Sequence, residues 1–211
     1  MENNEKEQIR EALERFVAVK GSQNKAGNAL NGISPATVSQ IINRKWDLIS
    51  DEMWRNLADL TVIFGDAQEN SLVMAVTGDA GCGKTVAARE YQQGHDNVFV
   101  LSCNEYWNRK LFMQELLREM GRSTGGDTVG EMMADIVGTL KRLESPVIIM
   151  DEADKLSDQV FYFFITLYNS LEDHCGIVLM ATDYLEKKVT RGLRLNKKGY
   201  KEFFSRIGRR F

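Results

Sequence analysis

Eight consecutive residues, Gly78-Asp79-Ala80-Gly81-Cys82-Gly83-Lys84-Thr85, carry the spacing G-x-x-x-x-G-K-T. Those residue types in that order suit one chemistry. The glycines let backbone N–H groups turn inward on phosphate oxygens, the lysine reaches the β- and γ-phosphates, and the threonine hydroxyl reaches Mg²⁺. A second group follows 67 residues after Lys84, where Val147-Ile148-Ile149-Met150 leads into Asp151-Glu152. In phosphate-loop ATPases an aspartate at this place orders the Mg²⁺ shell, and the glutamate positions or deprotonates the attacking water. Two acids at the mouth of a buried strand are costly unless a cation meets them. The implied ligands are a nucleoside triphosphate, ATP or GTP, and Mg²⁺, with Thr85 and Asp151 as metal-side groups and Glu152 as the hydrolytic one. Asp151-Glu152-Ala153-Asp154 also spells a helicase signature, but such enzymes need two recombinase-like lobes and 211 residues leave room for one.

The surrounding pattern supplies elements to position these residues. Leu72–Thr77 is an apolar run of buried-strand length, and Val86–Tyr91 can start a helix whose N-terminus adds positive charge behind the loop. Val98–Ser102 reads as a second strand, Leu111–Met120 as a helix, and Gly176–Thr182 as a fourth strand ending in a polar residue. Thr128 and Glu131 form a capping box ahead of a helix with Met132, Met133, Ile136, Val137, Leu140 and Leu143 on one face. Phe161, Phe164, Ile165 and Tyr168 mark the buried face of another. Strand and helix alternating in this way predict an α/β fold with a doubly wound parallel sheet.

The segment before the sheet reads differently. Ile9, Ala12, Leu13, Phe16 and Val17 form one helical stripe, Gly21-Ser22 ends it, and Ser22 can cap a short helix to about Leu30. Asn31-Gly32 is a turn, and Ser34-Pro35 starts a helix to Asn43 that buries Val38, Ile41 and Ile42. Ser50 can cap a further helix through Met53, Leu57, Leu60 and Phe64. Gly32 to Ile41 resembles the turn and recognition helix of repressor-type helix-turn-helix domains, departing from them at Asn28, where a small residue is usual. The resemblance makes Thr37, Ser39, Gln40 and Asn43 candidate DNA contacts. The expected layout is a small all-α helix-turn-helix domain over 1–65, a polar linker over 66–71 and the α/β core over 72–211.

Composition is that of an ordinary globular chain, 43% hydrophobic and 27% charged. No apolar run approaches the ~20 residues of a membrane span and the N-terminus has no signal-peptide character, so a cytoplasmic protein is expected. Three cysteines without metal-ligand spacing fit a reducing compartment. Charge is uneven: residues 187–211 hold ten Lys or Arg against one acid, a local +9, which leaves −12 on the rest. Residues 1–71 carry eight Lys or Arg against eleven acids, which argues against tight DNA binding by that segment alone. A concentrated basic block marks a candidate nucleic-acid surface through Arg194, Lys197 and Lys198. A second mixes aromatic and basic residues at Tyr106, Trp107, Arg109 and Lys110.

Phosphate loop, Asp151-Glu152, a strand ending in Thr182 and a basic helix reaching Ser205-Arg206-Ile207-Gly208-Arg209-Arg210 together resemble the AAA+ ATPase core. That resemblance implies γ-phosphate sensing by Thr182 and an arginine reaching the neighbouring subunit's ATP, with Arg206 first and Arg209 and Arg210 as rivals. A helix-turn-helix fused to such a core resembles the target-selecting transposition ATPases of the phage Mu B type. It implies ATP-dependent, largely sequence-nonspecific binding of double-stranded DNA, self-assembly into filaments, and delivery of DNA to a transposase. An AAA+ module of this kind is expected to continue past Phe211 into a fifth strand and a helical lid; without the lid arginine, hydrolysis would be slow. A helicase loader and an ATP-switched transcription regulator are the alternatives.

Overall fold

The computed structural model describes residues 6, 7, 10, 13, 14, 17, 18, 21–23, 35–49, 51–124 and 128–207. The chain divides into two compact units, one holding residues up to Phe64 with Asp79–Asp96, the other Gly65–Gly78 with Asn97–Phe211. No helix among the described residues is long and apolar enough to cross a membrane.

In the first unit, residues 6, 7, 10, 13, 14, 17 and 18 are helical and Leu13 is buried. Helix α1 (Pro35–Ile42) buries Val38 and Ile41 completely and Ile42 only in part. It ends one residue before Asn43, whose side-chain amide donates to the Ser39 carbonyl at 2.7 Å and satisfies the last turn. Arg44, in a left-handed conformation after that turn, reaches Glu7 at 2.5 Å and ties the first helical segment to the end of α1. The Asn31-Gly32 turn, the Ser34 and Ser50 caps, Asn28 and the side chains of Met53 and Leu57 lie outside the described residues. Helix α2 (Asp51–Glu69) follows, and α3 (Lys84–Gly94) completes the unit. Phe64 meets Tyr91 edge to face at 5.5 Å.

The polar stretch 66–71, expected as a linker, is helical as far as Glu69 and turns only at Asn70 and Ser71. Ala, Gln and Glu are strong helix formers, and Ala67 is fully buried, so polarity here marks one helix face and not a loop. Gln68 donates to the Ser145 carbonyl at 2.9 Å, which holds the end of α2 in the second unit.

The second unit is built on four strands, β1 (Val73–Thr77), β2 (Val98–Ser102), β3 (Val147–Asp151) and β4 (Gly176–Ala181). All pair in parallel, in the order β1-β4-β3-β2. Every residue of β3 and β4 is buried, as expected for parallel strands written in Val, Ile, Leu and Met. β1 is half-buried along its length.

Helices α4 (Arg109–Glu119), α5 (Val129–Leu140), α6 (Asp158–Leu171), α7 (Tyr184–Arg194) and α8 (Tyr200–Ile207) complete the unit. α4 begins two residues before the expected Leu111 because Asn108 caps it, its side-chain oxygen accepting the Leu111 N–H at 3.0 Å. The capping box at Thr128 and Glu131 is present, with bonds of 2.7 and 3.3 Å. Met132, Ile136 and Leu140 are buried in the core as the stripe predicts. Phe161 and Phe164 both pack against Phe203 of α8, at 4.7 and 5.6 Å between ring centres.

β4 starts at Gly176 for a steric reason. A Cβ there would lie 2.2 Å from the Ala67 carbonyl oxygen, a backbone atom that cannot rotate away. Gly176→Ala should therefore lose roughly 1–3 kcal/mol of stability in urea unfolding. Gly138→Ala, inside α5 with open space around the added methyl, should gain about 0.5–1 kcal/mol.

Candidate active site

Because the strands are parallel, their carboxyl ends share one edge of the sheet, the place where α/β folds bind ligands. β4 stands between β1 and β3, so Thr182 emerges between Gly78 and Asp151. Gly78 continues the ladder past β1, its N–H donating to the Ala181 carbonyl at 3.2 Å. The first residue of the glycine loop is thus fixed to the strand that leads into Thr182.

Asp151 is 3% exposed and its Oδ1 accepts the Glu152 N–H at 2.9 Å. Glu152 is left-handed, with φ 56° and ψ 37°, a conformation that costs a non-glycine residue about 1–2 kcal/mol. The reversal turns the chain from strand into the short 3₁₀ turn Ala153–Lys155. The Glu152 carboxylate pairs with Lys155 Nζ at 2.7 Å, and that bond raises the Lys155 pKa. Asp154, which the sequence offered only as part of a rejected helicase signature, meets one of the candidate site residues. Its Oδ2 accepts the Thr182 hydroxyl at 3.0 Å.

The glycine loop runs from the end of β1 to the start of α3. Gly81 and Gly83 sit at φ 92° and 93°, where a Cβ would be strained. Between them the Cys82 N–H donates to the Asp79 carbonyl at 3.3 Å, and Gly83 leads directly into α3. Lys84 Nζ curls over its own loop, donating to the Asp79 carbonyl at 2.9 Å and to Cys82 Sγ at 3.3 Å. Lys84 and Thr85 are 9% and 6% exposed, while Asp79 and Ala80 face solvent. Two buried polar side chains at the amino end of an eleven-residue helix suit an anion with its cation. No cluster of three or more His, Cys, Asp or Glu able to hold a metal exists among the described residues.

The family model of the AAA domain matches residues 66–189, which take in the glycine loop, Asp151, Glu152 and Thr182. This chain belongs to the AAA domain family. Two curated relatives, the ATP-dependent target DNA activator B of Escherichia phage Mu and that of Escherichia phage D108, are each 31% identical to it over 139 residues. The matched stretch is 65% of this chain and spans 43% of each relative's length.

Around the AAA domain the candidate DNA contacts divide by environment. Tyr106 is 70% exposed, and Arg109 and Lys110 face solvent at the start of α4. Trp107 is buried, edge to face with Phe112 at 6.3 Å, so it belongs to the core and is no stacking platform. On α1, Thr37, Ser39 and Gln40 are half-buried, and exposed Asn43 bonds the Ser39 hydroxyl at 3.1 Å. Arg194 is exposed, and Lys198 lies over the Tyr162 ring at 4.5 Å. Arg206 stands 5.2 Å over Tyr168 and 3.8 Å from Glu172, while Arg209 and Arg210 lie outside the described residues.

Lys197 has a structural partner that the sequence did not reveal. Asp158, the first residue of α6, accepts from Lys197 Nζ and from the Tyr200 hydroxyl, both at 2.6 Å. Burial pushes the Asp158 carboxyl up, but those two donors outweigh it and hold its pKa below the ordinary 3.8. A depressed carboxyl stabilises the fold above its unfolded pKa, and the contribution fades as pH falls through the folded value. Asp158→Asn should therefore lower stability at pH 7 by less than about 1 kcal/mol, since the pair is half-exposed. The deficit should close below pH 3.8, as thermal melts across pH would show.

Proposed function

We propose that this AAA-domain protein is an ATP-dependent DNA-binding ATPase that assembles on double-stranded DNA and delivers it to a transposase. The reading rests above all on one arrangement: buried Asp151, left-handed Glu152 and Thr182 at the carboxyl edge of a sheet whose edge strand β1 leads into a phosphate-type loop. The likeness to two ATP-dependent target DNA activators supports the choice of DNA as the polymer served.

In this reading the loop from Gly78 to Thr85 holds the triphosphate. Lys84 leaves the Asp79 carbonyl and the Cys82 sulfur for the β- and γ-phosphates, and Thr85 and Asp151 serve Mg²⁺. The ion supplies charge neutralisation across the phosphates. Glu152 releases Lys155 and takes a proton from the attacking water. Thr182, aimed by Asp154, senses the γ-phosphate. Arg206 leaves Glu172 to reach a neighbour's nucleotide, so that ATP acts as an assembly signal as much as a fuel. Tyr106, Arg109, Lys110, Arg194 and Lys198 track the DNA backbone. Lys197 joins them only by leaving Asp158, and Thr37, Ser39, Gln40 and Asn43 add contacts from the N-terminal segment.

Glu152→Gln should retain ATP binding and lose hydrolysis by about 10²–10⁴-fold, whereas Lys84→Ala should lose nucleotide binding itself. Electron microscopy with duplex of arbitrary sequence and a slowly hydrolysed ATP analogue should show filaments; discrete dimers on a single sequence would overturn the reading. Neutralising Arg109 and Lys110 should weaken ATP-dependent binding and flatten its salt dependence by about 0.9 log unit for each phosphate they had neutralised. An unchanged slope would remove that loop from the DNA path.

A further inference from the structure

Helix α7 has an amphipathic face with a lysine in the wrong place. Leu185, Val189 and Gly192 fall at i, i+4 and i+7 and are buried. Lys188, at i+3, belongs to the same stripe, where an apolar residue is expected. Lys187, Arg191 and Arg194 face solvent. The Lys188 stem passes inward, and its ammonium lies 4.9 Å from the centre of the Phe161 ring. Burial pushes its pKa down, the sign of a charge withdrawn from water.

What receives the ammonium is the turn after β3. Lys188 Nζ donates to the Asp154 carbonyl at 2.8 Å and to the Leu156 carbonyl. The chain at Asp154 is therefore held from behind while its carboxylate points to the Thr182 hydroxyl. Two residues upstream on the same turn stands Glu152, in a backbone conformation that needs its surroundings to maintain it. A methionine could fill the space against Phe161. It could not donate to two carbonyls.

We propose that Lys188 is the positioning residue of the hydrolytic turn, its ammonium fixing the Ala153–Leu156 backbone so that Glu152 and, through Asp154, Thr182 hold their places. This rests on the reading of Glu152 and Thr182 as hydrolytic groups. Lys188 touches neither nucleotide nor water in that scheme, and its effect belongs to kcat.

The test is steady-state ATP hydrolysis by the full chain, with affinity for a fluorescent ATP analogue and thermal melting measured alongside. Lys188→Met should lower kcat about tenfold to a hundredfold, the scale set by small misplacements, and leave KM and analogue affinity within about twofold. Combined with Thr182→Ala, it should lose little beyond the slower single variant, because both act on one arrangement. Wild-type kcat in Lys188→Met, equal losses in affinity and kcat, or losses that multiply with Thr182→Ala would each overturn the proposal. Should Lys188→Met fail to fold, Lys188→Leu, which likewise has no donor for the two carbonyls, is held to the same criteria. Glu152→Gln is the control: hydrolysis at the wild-type rate there would overturn the functional reading itself, whereas its loss alongside an unaffected Lys188→Met would overturn only the role of Lys188.

Discussion

β4 hydrogen-bonds to β1 on one side and to β3 on the other, and because all three run parallel their carboxyl ends are held at one level. That constraint determines what the rest of the unit can do. Thr182 leaves β4 between the start of the glycine loop and the acid pair, with no freedom to be elsewhere. The ladder extends one residue beyond β1, through the Gly78 N–H, so the loop departs from a fixed point. Burial of all eleven residues of β3 and β4 makes the arrangement stiff, since neither strand has a solvated face along which to slip register.

A buried carboxylate at the end of such a strand must be met by donors, and the structure meets it locally. Asp151 takes the N–H of the next residue, and forming that bond goes with the left-handed turn at Glu152. Around the turn, charges are paired over short distances: Glu152 with Lys155, and Asp154 with the Thr182 hydroxyl. The same economy governs the C-terminal third of the chain. Its excess of Lys and Arg suggests one continuous basic surface, yet Lys187 pairs with Asp183, Lys188 turns inward and Lys197 serves Asp158. Arg191, Arg194 and Lys201 remain on the exposed side.

Sequence reading was strongest where period and spacing carry the physics. The four strands stand within a residue of their expected limits, because Val, Ile and Met runs of five or six residues bounded by turn signals have few other uses. The glycine loop and the Thr128 capping box were legible because each demands particular residue types at fixed offsets. Asn108 gives little sign of its capping role because it follows Tyr106 and Trp107, aromatic residues that suit a nucleic-acid surface as well as a core, and only burial assigns Trp107 to the core. The helical end of α2 was hidden by polarity, which describes what faces water and not how the backbone runs. Lys188 and Asp158 could not have been found from charge counts. What distinguishes them is whom they touch, and those partners lie 32 and 39 positions away in the chain.

The pairing of β1 with β4 also bears on how the molecule comes into being. Val73 is matched with Ile177, and among the described residues β1 has no other strand beside it. A chain emerging from its N-terminus therefore exposes the phosphate-loop strand long before a neighbour exists to hold it. The entropy of closing that long loop must be met first, which favours late docking of β1 onto a β2-β3-β4 sheet already in place. Until then the glycine loop is tethered and has no aim. The strand that carries the glycine loop thus depends for its place on one partner about a hundred residues further along the chain.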